Sequence, residues 1–461
     1  MNKQELPDWL DRHHVSIIRT HATSLDGPGL GKYLHRNKFF NSLPKGHAVS
    51  DMALTMDVNG TPHMTLWHPQ REANLGDIFL KPDLNTLISD GADPNLGHCI
   101  VDFTNDQGVP MDLCPRSTLK KMVARVAALG YEIKATYELE FFVYKESYQE
   151  IRASQFRRMT PLTTSTKGGI YNLRNAYHVK PLMDEVIKRM EWQGIQWEGW
   201  NDEAGVGQIE LNLVPCDPVT AADNVVRTKQ ILFEVAVDLG LSVTFMAKPG
   251  SGYSSGMHIH HSLLDTDSGE PAFFDEQADQ HRSQLMTQWV AGLVATMPGA
   301  VSYLCPTVNS FRRFTDYAAV PMTASWGEEN KSTALRLISR AKNIARIEHR
   351  VGASDLNPYL ALAVILAGGI AGVTHSLTPT EEFNKLAWGL PASPSDLPMS
   401  ISQAAKCLKD DELLAEVLGA SNTNYWAKTR QAEWLVFHTE GADATSHKVS
   451  QWEYDRYFEM I

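Results

Sequence analysis

Hydrophobic residues along this chain switch between two periods, and the switches mark its elements. After Pro115, Leu119, Met122, Val123, Val126 and Leu129 form a stripe at helical spacing, with Ser117 as candidate cap and Gly130 as the stop. From Tyr131 to Tyr144 the period drops to two. Ile133, Ala135, Tyr137, Leu139 and Phe141 fall on one face, and Glu132, Lys134, Thr136, Glu138 and Glu140 on the other. Similar patterns predict strands from Gly207 to Leu213, Ser242 to Ala247, Gly256 to Leu264 and Ala345 to Val351. Helical patterns lie between them, from Pro181 to Gln193, Val219 to Gly240, Gln284 to Met297 and Pro358 to Val373, the last apolar enough to read as a buried helix. Strands and helices do not alternate regularly, so the pattern predicts an α+β fold with a mainly antiparallel sheet.

Turn residues are densest before residue 115, which predicts a small strand-rich unit over 1–112 and a larger domain over 113–461. Within the first unit, Ser16 to Arg19, His47 to Met56 and Pro62 to Trp67 have strand character, separated by Asp26-Gly27-Pro28-Gly29 and by Asn59-Gly60, a hairpin signal. The basic, glycine-containing segment from Glu146 to His178 reads as a variable loop with no role assigned.

Four of the predicted strands share one kind of polar face. Glu138 and Glu140 project together; so do Gln208, Glu210 and Asn212, with Glu203 just before them; so do His258, His260 and Ser262; and Glu348 stands between Arg346 and Arg350. Singly, each pattern is an ordinary solvated face or ion-pair ladder. Together, carboxylates, imidazoles and guanidiniums at period two line a cavity suited to divalent cations, phosphates and an anionic substrate.

Composition narrows the classes. Acidic residues outnumber basic ones, 54 to 42, and no basic cluster is interleaved with aromatics, which excludes a nucleic-acid partner. No apolar run reaches transmembrane length, and Met1 to Leu10 carries acids and a proline where a secretory signal needs a basic end and an apolar block. A cytoplasmic protein without a membrane partner is expected. Cys99, Cys114, Cys216, Cys305 and Cys407 lack zinc-ligand spacing and read as reduced, buried thiols.

From Pro115 to Leu360 the ordered motifs resemble the glutamine synthetase superfamily. They are Glu138-Leu139-Glu140-Phe141, Glu203-Ala204-Gly205-Val206-Gly207-Gln208-Ile209-Glu210, Lys248-Pro249, and Ser255-Gly256-Met257-His258-Ile259-His260. Val308-Asn309-Ser310-Phe311-Arg312-Arg313, Asn330-Lys331-Ser332 with Arg336, Arg346-Ile347-Glu348-His349-Arg350 and Asn357-Pro358-Tyr359-Leu360 follow. The resemblance implies a small β-grasp-like N-terminal domain on a larger catalytic domain with a curved antiparallel sheet, assembled as a dodecamer of two hexameric rings. It implies ATP as cosubstrate and two or more Mg2+ or Mn2+ ions. Glu140, Glu203 and Glu210 would hold one cation and Glu138, His258 and Glu348 the other. His260, Lys331, Arg336 and Arg346 would face the phosphates, with Ser262 near the nucleotide. Arg313 and Arg350 would hold the substrate glutamate beside Glu140 and Ser254, and Arg336, Arg313 and Glu348 would form the catalytic group. The reaction implied is ATP-dependent ligation of glutamate to an amine through γ-glutamyl phosphate.

Three departures bear on the amine. Where ammonia-using members carry a flap glutamate, this chain has Ala319, among Phe311, Phe314, Tyr317 and Trp326, unless a register shift lets Asp316 serve. The early Asp-Gly-Ser-Ser segment is replaced around His47-Ala48-Val49-Ser50, with Asp51 leaving that alignment open, and a glutamate-contacting glycine is Ser254. Lost carboxylates with retained metal and phosphate residues predict a γ-glutamylamide synthetase for an alkylamine or arylamine. Glutamine synthesis from ammonia and a non-catalytic structural or regulatory role are the alternatives. No adenylylation loop is matched after Gly389.

Overall fold

The computed structural model describes the chain except residues 64, 65, 67, 69–74, 164–168, 251, 316–318, 389–395 and 442–447. The expected strand from Pro62 to Trp67 and the residues Asp316 and Tyr317 fall wholly or partly on these.

The N-terminal sheet centres on a parallel pair, Ile17–Thr23 with Leu96–Thr104. Asp77–Pro82 and then His47–Ser50 extend it in antiparallel order. The strand expected to reach Met56 stops at Ser50, whose hydroxyl accepts the Met52 N–H and caps a short 3-10 turn, Asp51–Leu54. A local side-chain acceptor has replaced the ladder. Asn59-Gly60 makes the expected turn: Asp57 Oδ1 accepts the Asn59 and Thr61 N–H groups, Gly60 adopts φ 78°, and Met56 bridges Pro62.

Pro115–Ala128 is helical, starting before Ser117 because Pro115 presets the first turn. It ends before Gly130, at φ 91°. Tyr131–Tyr144 then forms the central strand of the large sheet, its apolar face buried as predicted. The described strands run Trp326–Glu328, Leu335–Ile338, Arg346–His349, Met257–Asp265, Tyr131–Tyr144, Gln208–Leu213, Trp197–Asp202, with Ser242–Thr244 paired to the end of the central strand. All neighbours are antiparallel except the Trp326–Glu328 and Leu335–Ile338 pair.

Two further helix boundaries differ from the sequence reading. Leu173–Trp192 begins well before Pro181, because Asn172 accepts the Arg174 and Asn175 N–H groups and the proline is absorbed inside the helix. Gln284–Leu304 likewise runs through Pro298. It packs against the buried helix Pro358–Thr374, where a Cβ on Gly292 would lie 2.0 Å from the Gly368 carbonyl oxygen. Only glycine permits that approach.

C-terminal helices, including Ala420–Glu440 and Gln451–Tyr457, clasp the N-terminal loops through buried ion pairs. Arg430 pairs with Asp26, and Arg456 donates to Glu433 and to Asp57 at 2.6 and 2.7 Å. The five cysteines are free thiols. Among the described residues no helix is long and apolar enough to cross a membrane.

Candidate active site

Register brings the four polar faces together. Across the central strand, Glu138 lies opposite Asn212 on one side and His258 on the other, while Glu140 lies opposite Glu210. One strand further, His260 faces Glu348, and Glu348 in turn faces Arg336. Period two sends these side chains to the same side of the sheet.

Glu138 is the hub. His258 Nδ1–H donates to its Oε2 and His260 Nε2–H to its Oε1, each at 2.9 Å. Burial would raise its pKa, but these two imidazole hydrogen bonds prevail and hold it well below the carboxylate range. Glu348, 1% exposed, accepts from Arg336 at 3.0 Å and pairs closely with Arg350. Arg336 is also held by Glu329. Arg346 Nε–H donates to His260 Nδ1 at 3.3 Å.

Two groups offer ligand atoms within 4.8 Å of one another: Glu138 with Glu210 and His258, and Glu138 with His260 and Glu348. The grouping differs from the expected one, since His260 joins the carboxylates. Burial, then the charges of Glu138 and Glu140, push Glu210 up to about 8. Burial and Glu140 also raise Glu203. Glu140, Glu203 and Glu210 have no ion-pair partner among the described residues, and the oxygen-rich donor set they form with Glu138, Glu348 and imidazole fits magnesium or manganese.

Gln208, noted in the sequence only as a face-sharer, ties three parts of the site. Its Nε2–H groups donate to Glu140 Oε2 at 2.9 Å and to the Ser254 carbonyl at 3.0 Å, while its Oε1 accepts the Gly205 N–H at 2.9 Å. Gly256 donates its N–H to Glu140 at 2.7 Å, and a Cβ there would lie 3.2 Å from Arg313 Nη2 and 3.5 Å from Glu140 Oε1. Glycine is the gap through which guanidinium and carboxylate face one space.

A cleft of ≈ 430 Å³ beside Glu138 is lined by His260, Ser262, Arg346, Asn212, Lys134 and Glu198, among others. Lys331 lies outside those lining residues, exposed on the turn before the strand carrying Arg336. Tyr171, in the segment that read as a variable loop, is exposed and within electrostatic reach of the carboxylates of Glu210, Glu203 and Glu138. Partial burial and then the charges of Glu210, Glu203 and Glu138 raise its phenol pKa. Its loop position carries no periodic signal by which sequence could have found it.

The glutamine synthetase catalytic-domain pattern matches residues 112–457. The chain belongs to the glutamine synthetase family. It is an ATP-dependent C–N ligase, of a family that uses ATP and divalent metals. Over 457 residues, 98% of this chain and 97% of the relative, it is 29% identical to a glutamate–isopropylamine ligase from Pseudomonas sp. It is 29% identical over 94% of its length to the gamma-glutamylputrescine synthetase PuuA of Escherichia coli, covering 92% of that protein. A glutamine synthetase of Thermus thermophilus is also 29% identical, over 83% of this chain and 84% of that protein. The fold is that of a solved GmaS/ADP complex, with TM-score 0.82, 24% identity and 98% of each chain covered.

Within this glutamine synthetase fold, the residues that depart from the ammonia pattern are placed as follows. Ala319 is exposed and adopts φ 57°. Phe311 and Phe314 pack with ring centroids 5.6 Å apart. Trp326 is held elsewhere: its indole N–H donates to the Thr380 carbonyl and its ring carries the Arg282 guanidinium, so it does not extend the aromatic pair as expected. Asp51 is 2% exposed, with neither carboxylate oxygen hydrogen-bonded among the described residues.

Proposed function

We propose that this protein joins the γ-carboxylate of glutamate to an organic amine, an alkylamine or arylamine in preference to ammonia, giving a γ-glutamylamide, ADP and phosphate. The observation that carries this reading is the charge at the acceptor side. Ala319 supplies no carboxylate, and Phe311 and Phe314 line a cavity of ≈ 710 Å³ with Lys248, Arg312, Lys448 and Trp434, none of its described lining residues being acidic. Burial and the Arg313 guanidinium lower the Lys248 pKa, which ties this cavity electrostatically to Arg313. An apolar amine fits such surroundings, whereas a diamine requires a distal acid. The ligase names of relatives matching nearly the whole chain support the same class.

In this reading Glu138, Glu140, Glu203, Glu210, His258 and Glu348 hold two cations, Mg2+ or Mn2+. When bound, they neutralise phosphate charge and polarise the transferred group. Arg313 and Arg350 orient glutamate beside Glu140 and Ser254. His260, Lys331, Arg336 and Arg346 face the phosphates, and Ser262 lies by the nucleotide. The γ-carboxylate displaces ADP from the γ-phosphorus, Arg336 offsetting the developing charge, and the neutral amine then adds through nitrogen to the acyl carbon, expelling phosphate as the acyl C–O bond breaks and releasing its surplus proton. The reading keeps an N-terminal domain at 1–112, a catalytic domain at 113–461 and a cytoplasmic dodecamer of two hexameric rings, which native mass measurement tests.

Phosphate release with glutamate, ATP and Mg2+ or Mn2+ across ammonia, ethanolamine, putrescine, short alkylamines and aniline decides the acceptor. Strong release with one alkylamine or arylamine and weak release with ammonia is expected; an ammonia efficiency equal to the best organic amine refutes it. One observation favours ammonia instead, the buried Asp51 with both oxygens unpartnered, because it remains a carboxylate able to hold ammonium.

A further inference from the structure

Arg313 is only 2% exposed, so its aim depends on how the 3-10 turn Asn309–Arg313 is mounted. Its Nη1–H donates to the Val351 carbonyl at 2.9 Å. The first residue of the turn, Asn309, accepts the Lys248 N–H at 2.7 Å and donates to Glu453 at 3.0 Å. At the front of the turn the anchor is Asp355. Thr307 Oγ1 donates to its Oδ2 at 2.7 Å, and Ser310 Oγ donates to Oδ2 at 2.8 Å and Oδ1 at 3.0 Å. Ser310 N–H closes the loop by donating to Thr307 Oγ1 at 3.0 Å.

Asp355 is 1% exposed and forms no ion pair within 4 Å among the described residues. Burial raises its pKa against those two hydroxyl hydrogen bonds and the more distant Arg313 and Lys229 charges. A buried carboxylate without a salt-bridge partner is costly, and an apolar residue of similar size would fill the space at less cost. What the acid provides is direction: it fixes two hydroxyls that set the path of the turn three residues ahead of Arg313. The segment 351–355 therefore fastens both ends of the mount, the guanidinium by Val351 and the turn's start by Asp355.

We propose that Asp355 is a positioning residue for Arg313, holding its guanidinium toward the glutamate carboxylate. This rests on the reading of Arg313 as a glutamate-binding residue. It acts on glutamate and leaves the nucleotide side alone, because the cleft beside Glu138 is built from other strands. The test is calorimetric titration of the Mg2+-loaded protein with L-glutamate and, separately, with ADP, which needs no knowledge of the amine. Asp355→Ala is expected to weaken glutamate binding about 10-fold or more, with ADP affinity within about twofold. Asp355→Asn retains an acceptor oxygen and is expected to restore most of the loss. Thr307→Val removes one donor without touching the acid and is expected to weaken glutamate binding severalfold, which keeps the test available if Asp355→Ala does not fold. Equal loss of glutamate and ADP affinity, or a lower melting temperature with unchanged glutamate affinity, overturns the proposal. Arg313→Met separates the two inferences. If it leaves glutamate binding intact, the reading of Arg313 fails and this proposal with it; if it abolishes binding while Asp355→Ala does not weaken it, the proposal alone fails.

Discussion

Replacing Glu210 by glutamine removes the carboxyl of the cation site whose pKa is raised furthest. In the metal-free protein the pKa of this group is pushed up to about 8, from 4.5 for an unperturbed glutamate, because of burial and then its neighbours Glu138 and Glu140. The unfolded chain releases that proton near pH 4.5. Between these values ionisation therefore favours unfolding: the cost is absent below pH 4.5, grows as pH rises and is complete above pH 8. At about 1.4 kcal/mol per pH unit the ceiling is near 5 kcal/mol, and sharing of protons among the interacting carboxylates reduces it to about 2 kcal/mol. With 461 residues the unfolding entropy is about 1 kcal/mol per kelvin, so metal-free Glu210→Gln should melt about 2 °C above the parent at pH 8 and level with it near pH 4.5. Millimolar Mg2+ or Mn2+ should reverse the order, because binding to the folded state stabilises the parent more than a variant lacking one ligand. Differential scanning calorimetry with and without chelator reads both effects. A metal-free variant melting at or below the parent at pH 8 would refute the account of Glu210 as a carboxyl strained by its neighbours.

Other expectations follow from single contacts. Gly256→Ala places a methyl 3.2 Å from Arg313 Nη2 and 3.5 Å from Glu140 Oε1, so glutamate-dependent ATP cleavage should fall about 10-fold or more in steady-state kinetics, with little change in melting temperature. Trp289→Phe keeps a smaller aromatic ring but removes the indole N–H that donates to His261 Nε2 at 2.9 Å in the core. Urea unfolding should show a loss of about 1–3 kcal/mol. His261 and His349 are 1% and 2% exposed, and burial lowers each to about 3. They stay neutral when folded and take up protons when unfolded, so their contribution is present above pH 6.5 and lost as pH falls toward 3. Unfolding free energies from urea titrations at pH 6 and 5 should differ by about 2 kcal/mol, and an equal or higher stability at pH 5 would contradict this.

The sequence by itself determined the central strand from Tyr131 to Tyr144, the polar faces beside it and the residue types able to hold cations and phosphates, because strand periodicity fixes which side chains share a face. It also placed the buried helix at Pro358, whose apolar content leaves no exposed side. Register it could not supply. Pairing across strands, set by long-range packing, put His260 with Glu138 and Glu348, and turned Arg336 and Arg350 onto Glu348. Helix starts were misread at Pro181, where a distant asparagine cap prevails over the local proline. The strand expected to reach Met56 gave way to a serine-capped turn. Asp355 and Tyr171 carry no spacing signal, and Gln208 shared a polar face without a role of its own; their significance arises from what they touch. Local chemistry chose the ligands, and only the tertiary structure decided which of them meet, because backbone pairing and burial act between residues far apart in the chain.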